Sequence, residues 1–191
     1  MQNVGILIFS DVEVLDFAGP YEVFSVASEM HEYKYFNVFT ISENGELITT
    51  VNGLKVQPDY SFDSHPDIDI LVIPGGFGSR KLIKNEKVLN WVKRNYLKSK
   101  ITCSVCSGAL VLGKLGLLDN LNSTTHHQVT ELLKEIAPLT NVDKEKRYID
   151  NGKVMTSAGI SAGIDLALHI VKKIYGIEAE RKTVEHMEYW K

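Results

Sequence analysis

Residues 101–110 read Ile-Thr-Cys-Ser-Val-Cys-Ser-Gly-Ala-Leu, and this stretch decides the fold. The run at 101–105 predicts a buried strand, and Cys106 follows it directly at the start of a helix. Gly108 leaves room for strand and helix to approach each other closely. The pattern is that of a nucleophile elbow, which presents a reactive side chain at the end of a sheet. We therefore predict an α/β fold with Cys106 as the candidate nucleophile.

Outside this stretch, apolar runs of strand length alternate with longer segments of helical period. That alternation is typical of a mostly parallel sheet covered on both faces. Strands are predicted at 4–9, 35–41, 68–73 and 101–105, a small antiparallel excursion at 42–57, and a hairpin at 148–155. Helices are predicted from Asp16 onward, at 79–98, at 107–118, from after His127 to about 137, at 161–175 and at 178–189. Because no linker or repeat interrupts the pattern, residues 1–191 are expected to form a single domain.

The composition excludes several classes of partner. The chain has 191 residues, with 21 Lys and Arg against 24 Asp and Glu, so it carries no basic footprint for nucleic acid or anionic lipid. No stretch approaches about 18 consecutive apolar residues, and the first residues lack the positive charge of a secretory signal. We expect a cytoplasmic protein that binds neither nucleic acid nor membrane.

Two cysteines, Cys103 and Cys106, are too few for a disulfide framework. Three extended residues would separate their Cα atoms by about 10 Å, beyond the reach of a disulfide. Redox pairing would require both cysteines to lie in the turn, and two thiols alone do not make a zinc site. A buried, inert Cys106 is the plainest alternative.

The position of Cys106 suggests how its sulfur becomes reactive. Unpaired amides and the dipole at a helix N-terminus favour thiolate, so the elbow predicts a lowered thiol pKa. The backbone amides of Gly75, Gly76 and Ser107 are candidate donors for the anion that its attack creates. The alternative for Gly75 and Gly76 is an ordinary turn.

Four motifs, in this order, resemble the ThiJ/PfpI superfamily of class I glutamine amidotransferase-like proteins. They are Pro74-Gly75-Gly76, the elbow at 104–108, Thr124-Thr125-His126, and the segment 159–165. Within that superfamily, Leu-Asp-Phe-Ala-Gly-Pro-Tyr-Glu-Val-Phe at 15–24 resembles the branch of isocyanide hydratases and of the amidotransferase-like domains of AraC-type regulators. The resemblance implies a flavodoxin-like three-layer sandwich, usually a homodimer, that uses no metal or other cofactor.

The resemblance also assigns roles to individual residues. It implies that Asp16 is an acid beside Cys106, although an Asp before Gly-Pro alone would indicate a helix N-cap. Burial and repulsion would keep its carboxyl protonated, ready to act as a general acid. By the same resemblance, His126 supports the site, with helix capping as its alternative. Ile160 and Ser161 would line the pocket, while Asp165 would be structural.

The implied function is a cysteine-dependent enzyme acting on a small electrophile. The preferred reaction is hydration of an isocyanide to an N-substituted formamide through a Cys106 thioimidate, with Asp16 as general acid and base. The first alternative is glyoxalase or deglycase activity on reactive carbonyls. The second is a non-catalytic domain that senses a ligand, although the chain stops at Lys191 with no DNA-binding extension. Protease chemistry is not expected, because superfamily proteases carry His where this chain has Ser107.

Overall fold

The computed structural model describes residues 1–189. Its strands are β1 Gln2–Leu7, β2 Phe36–Ser42, β3 Ile48–Thr49, β4 Lys55–Val56, β5 Tyr60–Ser61, β6 Ile70–Ile73, β7 Ile101–Ser104, β8 Asn122–Ser123, β9 Asn141–Val142, β10 Tyr148–Asp150 and β11 Val154–Ser157. Its α-helices are α1 Val14–Glu29, α2 Ser79–Leu82, α3 Glu86–Lys98, α4 Ala109–Lys114, α5 Thr130–Ile136, α6 Ala162–Tyr175 and α7 Ile177–His186. Two 3-10 turns occupy Cys106–Gly108 and His127–Val129.

A seven-stranded sheet forms the middle layer, in the order β10-β11-β7-β6-β1-β2-β5. All neighbouring strands are parallel except the edge pair β10 and β11. Every residue of β6 and β7 is buried, as expected for strands covered on both faces. Around the sheet, α1 packs against α6 and α7, while α4 packs against α2 and α5. The architecture is the predicted α/β sandwich with a mostly parallel central sheet.

Strand β1 occupies a topological switch point. It lies between β6 and β2, so the chain leaves toward one side of β1 and later returns on the other. In open α/β sheets, ligands bind in the crevice outside the carboxyl ends of the strands at such a point. The segments after β1, β6 and β7 all begin at this edge of the sheet.

Several predicted elements differ in extent from those observed. The antiparallel excursion is the β3–β4 pair, and the second hairpin is β10–β11. The single helix predicted at 79–98 is two helices. The first ends at Leu82, and Asn85 begins α3 as its N-cap by accepting N–H bonds from Lys87 and Val88 at 3.0 and 3.3 Å. The helix predicted at 107–118 is shorter, and α4 ends at Lys114. None of the helices within residues 1–189 combines the length and apolar character that crossing a bilayer requires.

Candidate active site

The nucleophile elbow has the predicted geometry. Cys106 has a φ of +56°, in the left-handed region that few non-glycine residues adopt. Its N–H donates to the carbonyl of Ala158 at 3.1 Å, and its own carbonyl accepts from the Thr125 hydroxyl at 2.8 Å. At Gly108, an added Cβ would lie 2.1 Å from the carbonyl oxygen of Ile73, so only glycine permits this approach of helix and strand. The surrounding chain thus holds Cys106 in a strained conformation.

Asp16 is the third residue of α1 and is fully buried. Its Oδ2 accepts the Gly75 N–H at 2.9 Å, and its carboxyl interacts with the Cys106 thiol. The N-cap of α1 is Glu13, so capping, the plain interpretation of this aspartate, is wrong. The helix also begins earlier than predicted, which places Pro20 in its second turn. The carboxyl therefore points from the end of β1 toward the elbow after β7.

The two side chains alter each other's titration. Burial raises the pKa of the Asp16 carboxyl to about 7, while its hydrogen bond from Gly75 opposes this rise. Burial, and then the charge of Asp16, raise the pKa of the Cys106 thiol to about 12. At a pH between these two pKa values, the pair retains one proton and carries one negative charge. A singly charged pair of this kind can place its proton on either the carboxyl or the sulfur.

The pKa of Cys106 thus moves in the opposite direction to the sequence-based expectation. The expected donors exist, because the N–H groups of Ser107 and Ile160 bond to the sulfur and lower its pKa. Burial outweighs them. The helix that follows is also short, since α4 spans only Ala109–Lys114 behind a 3-10 turn. In this arrangement the Asp16 carboxyl is the group placed to accept the proton of the sulfur.

The amides predicted to stabilise an anion already donate to protein atoms. Gly75 N–H bonds to Asp16, and Gly76 N–H bonds to the Ser107 hydroxyl at 3.0 Å. Ser107 N–H bonds to the sulfur of Cys106. The Ser107 hydroxyl is itself held by the buried Ser79, whose Oγ lies 3.0 Å away. In this structure these amides position the reactive pair instead of forming a vacant oxyanion hole.

Cys106 opens into a pocket of about 380 Å³ at this edge of the sheet. Four other residues that the sequence singled out line it: Gly76, Ser107, His126 and Ile160. Six lining residues were missed: Glu13, Val51, Phe77, Arg80, Gln128 and Val129. The one available signal was position, since Phe77 directly follows the Gly75-Gly76 turn and Arg80 lies four residues after it. The pocket therefore leads to the buried Cys106 and is lined by both apolar and charged side chains.

His126 both lines the pocket and caps a helical turn. Its Nδ1 accepts the N–H of Gln128 at 3.2 Å, so the alternative role as a cap is present as well. The ring is half-buried and packs closely on Gly159, where an added Cβ would lie 2.3 Å from Cδ2. Burial, and then the neighbouring His127, lower the pKa of His126. A neutral His126 is therefore favoured at the pocket wall.

The two residues predicted to precede the last long helix have different positions. Ile160 has a φ of +48°, and its N–H reaches the Cys106 sulfur. Ser161 lies outside the pocket: its side chain is exposed and accepts a bond from Arg147 at 3.3 Å. Asp165 is buried in an ion pair with Arg147, whose Nε lies 2.6 Å from Oδ2. The prediction for Ser161 is thus corrected, and Asp165 has the structural position expected of it.

The second cysteine belongs to the core. Cys103 lies within β7, is 2% exposed, and has its thiol pKa raised by burial to about 12. Both cysteines are free thiols. Within residues 1–189, no group of three His, Cys, Asp or Glu side chains is arranged to hold a metal ion. Cys103 therefore stays apart from the pair formed by Cys106 and Asp16.

Comparison with known proteins adds a family and several relatives. Residues 2–173 match the sequence model of the DJ-1/PfpI family. The chain is 30% identical over 187 residues to the isonitrile hydratase of Pseudomonas putida, covering 98% of this chain and 78% of that one. It is 24% identical to the HTH-type transcriptional regulator GbdR of Pseudomonas aeruginosa, covering 98% of this chain but 51% of the regulator.

Solved structures share the fold. A THiJ/PfpI family protein from Pseudomonas syringae superposes with a TM-score of 0.88 at 24% identity, covering 98% of this chain and 75% of that one. Drosophila melanogaster DJ-1beta superposes with a TM-score of 0.84 at 18% identity, covering 100% and 99% of the two chains. At these identities the structures support the architecture described above.

Proposed function

Since the chain belongs to the DJ-1/PfpI family, we propose that it is a cysteine-dependent enzyme that hydrates isocyanides to N-substituted formamides. The observation that carries this proposal is the buried pair of Asp16 and Cys106, which shares one proton above pH 7 or so. Such a pair supplies a nucleophilic sulfur and an acid at the same place. The similarity to an isonitrile hydratase over 98% of the chain supports the choice of substrate.

The first half of the reaction consumes the shared proton. The Cys106 thiolate attacks the terminal carbon of the isocyanide, and a carbon–sulfur bond forms. The electron pair that develops on this carbon takes the proton from Asp16. The product is a thioimidate on Cys106, beside an ionised Asp16.

The second half restores the starting state. Ionised Asp16 removes a proton from water as its oxygen adds to the thioimidate carbon, and the nitrogen then takes that proton. The new hydroxyl returns its proton to Asp16 as the carbonyl forms, and the carbon–sulfur bond breaks to release the formamide. One isocyanide and one water give one formamide, and the pair again holds one proton.

The occupied amides favour this chemistry over acyl transfer. Attack on an ester or amide creates an oxyanion, which requires preorganised donors that are free to receive it. The N–H groups of Gly75, Gly76 and Ser107 instead bond to Asp16, a hydroxyl and the sulfur. Attack on an isocyanide places the electron pair on carbon, where a proton from Asp16 neutralises it.

The test is turnover of a simple aryl isocyanide by purified protein. We expect formation of the N-aryl formamide with one oxygen from ¹⁸O-labelled water, and a mass increase equal to one substrate on Cys106 during turnover. Cys106→Ala and Asp16→Asn should each reduce the rate by about a thousandfold or more. Cys103→Ala, which alters the other thiol in the core, is the matched control and should keep the activity.

Two results would overturn the proposal. One is an inactive wild-type protein across a panel of aryl and alkyl isocyanides, and the other is unchanged turnover in Cys106→Ala. Consumption of methylglyoxal that depends on Cys106, without isocyanide turnover, would assign carbonyl chemistry instead. Ligand binding without any turnover would indicate a sensing domain, in line with the similarity to the regulator GbdR.

A further inference from the structure

We propose that the substrate carries a carboxylate, which Arg80 binds while the isocyanide end reacts at Cys106. This inference rests on the proposed function and names the substrate class of the same site. Arg80 lines the pocket that contains Cys106, and its guanidinium carbon lies 5.2 Å from the centroid of the Phe77 ring. The pocket therefore has a reactive sulfur and a cation on its walls.

Arg80 has no anionic partner within residues 1–189, whereas the charged residues near it interact with other groups of the protein. The next residue, Lys81, pairs with Asp11 at 2.9 Å. Glu13 lines the same pocket, and its charge raises the pKa of Asp16. The charge of Arg80 instead acts on His126, whose pKa it lowers. Arg80 is thus the cation of this pocket that the reaction scheme leaves unused.

The spacing between Arg80 and Cys106 is held by the fold. The buried hydroxyls of Ser79 and Ser107 lie 3.0 Å apart, which ties α2 to the elbow. Arg80 follows one of these serines and Cys106 precedes the other, so each is one residue, about 3.8 Å of chain, from the link. A substrate with a carboxylate at one end and an isocyanide at the other can engage both residues.

The choice of a carboxylate follows from the charges and from the shape of arginine. A guanidinium forms two parallel hydrogen bonds to a carboxylate, and stacking on an aromatic ring such as Phe77 fixes its plane. Glu13 adds a negative charge to the same pocket, which disfavours a dianion such as a phosphate ester. The apolar side chains of Phe77 and Val51 suit an apolar body between the two ends.

The experiment compares 4-isocyanobenzoate with 4-isocyanobenzamide, which has nearly the same shape without the charge. We expect Arg80→Met to raise KM for the benzoate by about tenfold or more beyond any change in KM for the benzamide. Arg80→Lys should restore part of the lost affinity, because lysine keeps the positive charge but lacks the planar guanidinium that forms two parallel hydrogen bonds. Added salt should raise KM for the benzoate alone.

Binding of the product separates this inference from the proposed reaction. Calorimetry with 4-formamidobenzoate and the Cys106→Ala protein needs no turnover, and Arg80→Met in that background should weaken binding by a similar factor. If isocyanides are not turned over but this binding difference holds, the reaction is wrong and the carboxylate site stands. Equal effects of Arg80→Met on benzoate and benzamide, or no effect on either, would overturn the inference.

Discussion

The carboxyl of Asp16 and the thiol of Cys106 form one buried pair although they follow different strands, β1 and β7, which are separated by β6. Asp16 is 0% exposed and Cys106 is 6% exposed. The pair is held by backbone groups: Gly75 N–H donates to the carboxyl, and the N–H groups of Ser107 and Ile160 donate to the sulfur. All the segments involved begin at one edge of the parallel sheet, which explains how distant positions meet.

The first prediction is a pH profile set by the pair. Below pH 7 or so both groups are protonated and the sulfur is not nucleophilic, because burial raises the pKa of Asp16 to about 7. Loss of the first proton creates the singly charged, reactive pair. We expect both kcat/KM and the rate of alkylation by iodoacetamide to rise with pH, with a midpoint near 7.

The control for this profile is Asp16→Asn. Without a carboxyl to take its proton, the buried thiol should be alkylated only at alkaline pH, with a midpoint above the value of about 8.5 for a free thiol. Wild-type protein with an alkylation midpoint at or above that of a free thiol would contradict the shared-proton interpretation.

A second prediction concerns stability. The pKa of Asp16 is raised in the folded state, so its contribution is fully present below the unfolded value of 3.8 and is lost as pH rises through about 7. Asp16→Asn removes this ionisation while its side-chain oxygen can still accept the Gly75 N–H. The free energy of unfolding of Asp16→Asn relative to wild type should therefore increase between pH 4 and pH 8, by on the order of 3 kcal/mol.

Urea denaturation of both proteins at several pH values measures this difference. Every other carboxyl is common to the two chains, so the pH-dependent part of the difference reports on Asp16 and its coupling to Cys106. A difference that stays constant from pH 4 to pH 8 would show that Asp16 ionises normally in the folded protein.

A third prediction concerns Thr125, whose side chain forms a hydrogen bond with the backbone of the elbow. Its hydroxyl donates to the carbonyl of Cys106 at 2.8 Å, and both residues are buried. Thr125→Val keeps the shape but removes the donor, so we expect a loss of about 1–2 kcal/mol in stability. We also expect kcat to fall about tenfold with little change in KM, because the sulfur is misplaced rather than removed. Thr125→Ser retains the hydroxyl and should recover most of kcat; equal kcat in the Val and Ser variants would exclude a positioning role.

Much of the fold could be predicted from sequence because its signals are local. The apolar runs of β6 and β7, the Asn-Gly pairs at 52–53 and 151–152 in the two hairpin turns, and the elbow around Cys106 depend on neighbouring residues alone. The break between α2 and α3 was missed because the capping role of Asn85 is not distinct from the periodicity around it. Element existence was therefore predicted better than element length.

The site was predicted in part, and the errors have physical causes. The ionisation of Cys106 was misjudged because its local signal, a helix N-terminus, is opposed by burial that only the folded chain creates. Ser161 was assigned to the pocket with Ile160, but the positive φ of Ile160 turns the chain so that Ser161 reaches Arg147 instead. Arg80 was missed because its place depends on the contact of Ser79 with the elbow.

The last prediction tests the backbone donor to Asp16. At Gly75, an added Cβ would lie 2.5 Å from the N and Oγ of Ser107 and 2.9 Å from Oδ2 of Asp16, so Gly75→Ala must displace the loop or the carboxyl. A displacement of about 1 Å at a reacting group lowers rates by roughly a hundredfold, and we expect a loss of that size. Weakening the Gly75 hydrogen bond also removes an interaction that lowers the pKa of Asp16, so the midpoint of the pH profile should move above 7.

Gly152→Ala is the control, because Gly152 has a φ of +87° in the β10–β11 turn and no atom lies within 4 Å of the position its Cβ would take. That variant should lose about 1 kcal/mol of stability to backbone strain and keep both its activity and its pH midpoint; a Gly75→Ala protein that behaves in the same way would show that the Gly75 amide has no part in tuning the pair.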